Sequence, residues 1–257
     1  MTRTVADIRA ELGEADEAAF ASLERELEHD GRKGVRAALA SARRRLEAQR
    51  IERARVDGMY AFERDAAAGR RAVGLDEVGR GPVAGPLTVA AVVLPEAPRI
   101  EGLNDSKQVK PEMRERIAAE VKRYALAWDI QHIEAPWIDE HGMAAALRVA
   151  FSRVLEAVDA TGVAPACVLL DGNALGLDPR EVNVVKGDAR CASIAAASII
   201  AKVERDALMR AYASLYPEYG FESNKGYASA EHIAAIQEHG LSPIHRATFC
   251  RAWTKHA

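Results

Sequence analysis

Residues 73–86, VGLDEVGRGPVAGP, constrain this chain more than any other stretch. The run begins as an apolar strand, delivers the adjacent carboxylates Asp76 and Glu77, and turns through Gly79, Gly81 and Gly85 around a single Arg80. Burying an ionised carboxylate is costly unless it is paired or metal-bound, so two at one strand end are a poor way to build a core. Glycines let main chain approach a ligand closely, and Pro82 and Pro86 forbid a helix. One reading is a plain acidic turn between strands. The pattern Gly79-x-Gly81-x-x-Ala84 also fits a relaxed dinucleotide-binding fingerprint. That fingerprint must open a helix, whereas residues 87–94, LTVAAVVL, read as a second strand, which excludes it. The third reading is a metal-dependent phosphodiester site, and it requires further carboxylates from elsewhere.

At 257 residues the chain can form one large domain, or a domain with an appendage. Its 49% apolar and 28% charged residues are those of an ordinary globular protein. A net charge of -3 neither advertises nor excludes a nucleic-acid partner, because a basic groove can coexist with acidic surface elsewhere. No run approaches the roughly 18 apolar residues of a membrane span, and the first residues lack the apolar core of a signal peptide. Cys167, Cys191 and Cys250 are an odd number without a CxxC pair, which argues against a disulfide framework or structural zinc. A cytoplasmic protein is expected.

Residues 1–69 read as an N-terminal helical extension. Val5, Ile8 and Leu12 recur at helical spacing, as do Phe20, Leu23 and Leu27, then Val35, Leu39 and Leu46, with a break at Asp30-Gly31. Acidic residues crowd the first half and arginines the second. This is either a solvated helical hairpin or an arginine-rich grip on a phosphate backbone through Arg43, Arg44 and Arg45.

From residue 70 strands and helices alternate. Strands are expected at residues 72–77, 87–94, 125–133, 166–170 and 182–185, and helices at 111–124, 142–159, 191–212 and about 230–239. The first two strands adjoin in sequence and read as antiparallel neighbours, while the others are separated by helices. A mixed α/β sheet flanked by helices follows. Met113, Ile117 and Val121 form the apolar face of the helix after Pro111.

Asp76 and Glu77 end one strand, Asp171 ends another, and Asp188 precedes a long helix. In open α/β sheets such ends gather at one edge. Four carboxylates in one cleft repel unless divalent cations neutralise them, and all-oxygen ligands point to Mg²⁺ or Mn²⁺ rather than zinc. A two-ion site of this kind hydrolyses phosphodiesters. Taken singly, Asp171-Gly172-Asn173 can be a plain turn and Asp188 a helix N-cap. The histidines show no metal spacing and read mostly as surface, with His245 the one able to reach the cleft.

The motifs GLDEVGRGP (74–82), DSK (105–107), LDGN (170–173), KGD (186–188) and SIAAASIIAK (193–202) closely resemble bacterial ribonuclease HII. So do YGF (219–221), KGY (225–227) and SPIHR (242–246), in order and spacing from about residue 71 to 249. The N-terminal helices resemble the extension carried by some members. The resemblance implies an RNase H-like fold over residues 70–257. It also implies hydrolysis of RNA in RNA–DNA hybrids and incision 5′ of single ribonucleotides in duplex DNA, leaving 5′-phosphate and 3′-hydroxyl ends. It makes Asp76, Glu77, Asp171 and Asp188 the catalytic, metal-binding residues. Gly79, Arg80 and Gly81 would contact the ribose 2′-hydroxyl and its phosphate. Tyr227 would pack on the next sugar, against the alternative of a core tyrosine, and Lys107 and Lys186 would contact phosphates. A catalytically silent hybrid-binding protein and the sister enzyme ribonuclease HIII are the competing readings. Nothing in the chain demands more than a monomer.

Overall fold

The computed structural model describes residues 3–172 and 175–254, so Asn173 and His256 lie outside the described residues. The chain divides into two compact units, residues 1–55 and 56–257.

In the first unit, α1 (Val5–Glu14) opens on a capping box, in which Thr4 and Asp7 satisfy each other's backbone amides. Asp16 caps α2 (Glu17–Glu26) through the amide of Ala19 at 2.8 Å. The break at Asp30 is fixed by its ion pair with Arg32, 2.6 Å, just before α3 (Lys33–Ala66). Ile8, Leu12, Phe20, Leu23, Leu27, Val35 and Leu46 form the core of this unit, as their spacing implies. The charge segregation is partly used within the unit. Arg43 pairs with Glu24, and Arg45 donates to the carbonyls of Leu12 (3.1 Å) and Ala15 (2.6 Å), capping the end of α1. Arg44 alone of the three is exposed with its side chain uncommitted to these contacts.

The second unit is a five-stranded mixed sheet in the order β3-β2-β1-β4-β5. Strand β1 (Ala72–Val78) runs antiparallel to β2 (Leu87–Val93), which pairs antiparallel with β3 (Ala127–Ile133). On its other side β1 pairs parallel with β4 (Cys167–Asp171), and β4 with β5 (Glu181–Val184). Every residue of β2 is buried, as an inner strand covered on both faces should be.

Helices cover both faces. On one lie α4 (Pro111–Tyr124) and α8 (Ala192–Leu215), whose Ala195, Ala196 and Ile199 meet Ala90, Val92, Ile117 and Val121. On the other, α5 (Ala135–His141) leads into α6 (Met143–Ala160), whose Phe151, Val154 and Val158 meet Val73, Leu75, Val89 and Leu170. Two expectations fail here. Helix α5 has no counterpart in the sequence reading, and Met113 is 41% exposed, because α4 buries Ile117, Ala118 and Val121 instead. After β5 come α7 (Gly187–Arg190), α8 (Ala192–Leu215), α9 (Phe221–Asn224), α10 (Ala230–His239) and α11 (Ala247–Cys250). Among the described residues no helix is long and apolar enough to cross a membrane.

Candidate active site

Side chains alternate along a strand, so the neighbours Asp76 and Glu77 leave β1 on opposite faces. Asp76 follows the α8 face and is 9% exposed, while Glu77 follows the α6 face beside Leu147 and Phe151. Burial, then the charge of Glu77, pushes the Asp76 carboxyl up to about 8, against a hydrogen bond from Ser198 on α8. Glu77 is also raised, chiefly by burial, and is held down by Arg80 at 3.2 Å.

Asp171 ends β4, the parallel neighbour of β1, where register sets Leu170 beside Leu75. Its Oδ1 accepts the amide of Gly187 at 2.8 Å, tying β4 to α7. Asp188 stands on α7, half-buried. It is not an N-cap, since Lys186 (φ 56°) precedes α7 and Cys191 precedes α8. Burial raises the Asp188 carboxyl, as do the charges of Asp171 and Asp105, while Lys107 opposes them. The Asp171 charge likewise raises Asp76 and Glu77. One carboxylate, at the end of β4, is thus within electrostatic reach of the other three, two from β1 and one from α7. Their side chains do not close on one another: among the described residues no three His, Cys, Asp or Glu converge as a metal-ligating group. A cleft of about 310 Å³ borders the site, lined by Glu77, Arg80, Phe151, Leu170, Asp171 and Leu175 among others.

The glycine-rich turn lies beside these carboxylates. Gly79 has φ +94°, and a Cβ there would fall 2.4 Å from Arg205 Nε, so this glycine serves the backbone and its packing. Arg80 and Gly81 are exposed. Tyr227 is 50% exposed, and its Cε1 would lie 3.8 Å from a Cβ on Gly81, so the core-tyrosine alternative does not hold. Lys107 and Lys186 are both exposed, the first close enough to act on Asp188 and the second two residues before it.

His232 and His245 depart from the surface reading. Both are buried, bonded Nε2 to Nε2 at 3.0 Å, and belong to the core rather than the cleft. His132 is half-buried on β3 against Thr88 at 2.9 Å. Sequence reasoning also missed Ser198, Asp105, Arg205, Arg246 and Glu63. Glu63 caps α8 from outside, accepting the Ser193 amide at 2.6 Å and the Cys191 thiol at 3.3 Å. Asp105, Ser198 and Arg246 carried a signal, their places in the DSK, SIAAASIIAK and SPIHR motifs.

Comparison with known proteins matches residues 73–252 to the ribonuclease HII family and residues 4–67 to the ribonuclease HII N-terminal domain. Ribonuclease HII of Halalkalibacterium halodurans is 41% identical over 225 residues, 87% of this chain and 84% of that protein. Ribonuclease HII of Ruminiclostridium cellulolyticum is 43% identical over 203 residues, 78% of each. Among solved structures, ribonuclease H2 from Pyrococcus horikoshii OT3 superposes with a TM-score of 0.59 at 26% identity, covering 71% of this chain and 96% of that one. Bst-RNase HIII in complex with Mn²⁺ shares the fold, with a TM-score of 0.60 at 23% identity over 72% of this chain and 70% of that one. The chain has the RNase H-like fold, is an enzyme of the ribonuclease H class, and belongs to the ribonuclease HII family.

Proposed function

We propose that the chain hydrolyses RNA within RNA–DNA hybrids and incises duplex DNA on the 5′ side of single embedded ribonucleotides, leaving 5′-phosphate and 3′-hydroxyl ends. In this reading residues 70–257 form the catalytic domain and residues 1–69 an extension that grips duplex. The enzyme works as a cytoplasmic monomer. The observation that carries the reading is the position of Asp171, whose charge acts on Asp76, Glu77 and Asp188 together.

The donor set is all oxygen and suits Mn²⁺ or Mg²⁺. Burial first, and the charge of Glu77 next, raise the Asp76 carboxyl, an environment that a divalent cation would relieve. Asp76, Glu77, Asp171 and Asp188 would hold a two-ion site, which when filled activates water and stabilises the leaving 3′-oxygen. Around it, the Gly79-Arg80-Gly81 turn offers main-chain amides to the 2′-hydroxyl and Arg80 a guanidinium to the adjacent phosphate. Tyr227 presents an exposed ring on which the next sugar can pack, and Lys107 and Lys186 supply phosphate contacts.

The test is a labelled DNA duplex carrying one ribonucleotide, incubated with Mn²⁺, Mg²⁺ or chelator, with the product mapped to the nucleotide. A metal-dependent cut 5′ of the ribonucleotide is expected. Cleavage of RNA tracts alone would move the chain to ribonuclease HIII behaviour, and retention of substrate without any cut would leave a binding protein.

A further inference from the structure

The glycine-rich turn is held from the inside by two arginines. Arg246 is fully buried. Its Nη2 donates to the carbonyls of Gly79 (2.7 Å) and Gly85 (2.8 Å), and its Nη1 to those of Arg80 (3.1 Å) and Pro82 (2.8 Å). Its Nε reaches Gly85 as well, at 3.1 Å. Arg205, also fully buried, donates to Ala84 (3.1 Å), Pro86 (3.0 Å) and Lys225 (2.9 Å). The last contact ties the turn to the segment carrying Tyr227. Among the described residues no carboxylate hydrogen-bonds either guanidinium. Asp139 accepts from the amides of Ala247 and Thr248, and Asp206 from Lys202, instead. Two buried positive charges therefore lie under this turn, with carbonyl dipoles as their only hydrogen-bond partners among the described residues.

A trans peptide points its carbonyl and the following N–H in opposite directions. With the carbonyls of Gly79 and Arg80 drawn in to Arg246, the amides of Arg80 and Gly81 point out. Three further amides of the turn are used: Val83 and Ala84 donate to Gly226 at 2.8 and 3.2 Å, and Gly85 to Ile244 at 2.8 Å. Those of Arg80 and Gly81 have no acceptor among the described residues. These two are also the exposed residues of an otherwise buried run from Gly79 to Leu87. Successive free amides form a concavity suited to an anion or hydroxyl oxygen.

We propose that Arg246 is the positioning residue of ribose recognition, fixing the Arg80 and Gly81 amides in the orientation that meets the 2′-hydroxyl and its neighbouring phosphate. The inference rests on the ribose-reading role proposed above for the turn. The guanidinium fork is what the task needs, since a lysine keeps the charge but offers one nitrogen and cannot serve four carbonyls at once. Arg205 acts beside it by holding the Tyr227 segment against the same turn.

The test compares wild type, Arg246→Lys and Gly81→Ala as full-length proteins, with chelator present to prevent cutting. Affinity is measured for a duplex containing one ribonucleotide and for the same duplex in DNA alone. Gly81→Ala tests the underlying reading, because its methyl group meets only Tyr227 and no positive φ strains it. Both variants are expected to lower the ratio of the two affinities roughly tenfold, the scale of one net hydrogen bond. If Gly81→Ala lowers the ratio and Arg246→Lys does not, the role of Arg246 is overturned while the turn keeps its own. If Gly81→Ala leaves the ratio unchanged, the ribose-reading role falls, and this inference with it. Should Arg246→Lys fail to fold, amide exchange in the wild type decides. Val83 and Gly85 should be protected in the free protein, and Arg80 and Gly81 only on the ribonucleotide duplex. Protection of the Arg80 and Gly81 amides without substrate would overturn the proposal.

Discussion

Gly74 lies against the backbone of Ser193: a Cβ on the glycine would fall 2.3 Å from the Ser193 carbonyl carbon and 2.4 Å from the Ile194 nitrogen. Helix α8 thus touches β1 directly, two residues before Asp76. The obstacle is backbone at the buried start of a helix, so it cannot move aside as a flexible side chain would.

Gly74→Ala is accordingly expected to destabilise the fold by about 1–3 kcal/mol or more, the cost of overpacking a close-packed core. Urea denaturation of the variant checks this. A change within a few tenths of a kcal/mol would mean that α8 can shift from β1 at little cost.

Glu63 caps α8 across 130 residues of sequence. Glu63→Ala leaves the buried Ser193 amide without an acceptor and should cost about 1–2 kcal/mol, whereas Glu63→Gln keeps an oxygen there and should cost less. Equal losses from both variants in thermal denaturation would contradict the capping role.

Asp171→Asn separates charge from fold. An asparagine oxygen can still accept the Gly187 amide at the position of Oδ1, so the melting temperature in chelator should hold. Cleavage should drop by about a hundredfold or more, the scale of one preorganised electrostatic contact. Stabilisation by added Mn²⁺, expected for wild type, should weaken in parallel. Full activity in this variant would remove Asp171 from the proposed site.

The His232–His245 pair carries a pH dependence. The Ser242 amide donates to His245 Nδ1 at 2.9 Å, so the proton of neutral His245 sits on Nε2 and is donated to His232 Nε2. His232 then donates from Nδ1 to the Tyr227 carbonyl at 2.7 Å. A further proton has no place in this chain. Burial, then the neighbouring His232, lowers His245 from 6.5 to about 4, and burial lowers His232 as well. With folded values below the unfolded ones, the unfolded state binds more protons as pH falls. Stability is therefore full above about 6.5 and is lost progressively toward pH 4. His245→Asn should be less stable at neutral pH yet show a shallower decline between those limits. An unchanged slope in denaturation experiments at pH 7 and 4.5 would contradict this.

Local pattern sufficed for most of the frame. Residues 111–124 form α4 because Pro111 occupies its first turn and Ile117 and Val121 fall on one face. Residues 87–93 form an inner strand because all but Thr88 are apolar, and the residues that precede Asp76 and Asp171 are as apolar. The carboxylates at those strand ends were visible for the same reason: charge placed where an apolar run stops needs an explanation other than packing. Tertiary structure decided the rest. Sequence rules send arginine to the surface and read lone histidines as solvated, yet Arg205, Arg246, His232 and His245 are buried. Their partners are carbonyls and ring nitrogens supplied by distant segments, up to 167 residues away for Arg246 and Gly79. The small residues of α8 and the glycine of β1 were both legible, but the close approach of their backbones, which leaves no room for a Cβ on Gly74, was not. A hydrogen bond to a carbonyl depends on where the backbone goes and hardly at all on which side chain that residue carries. For that reason the chain's chemistry could be read in sequence, while the scaffold that aims it could be read only in space.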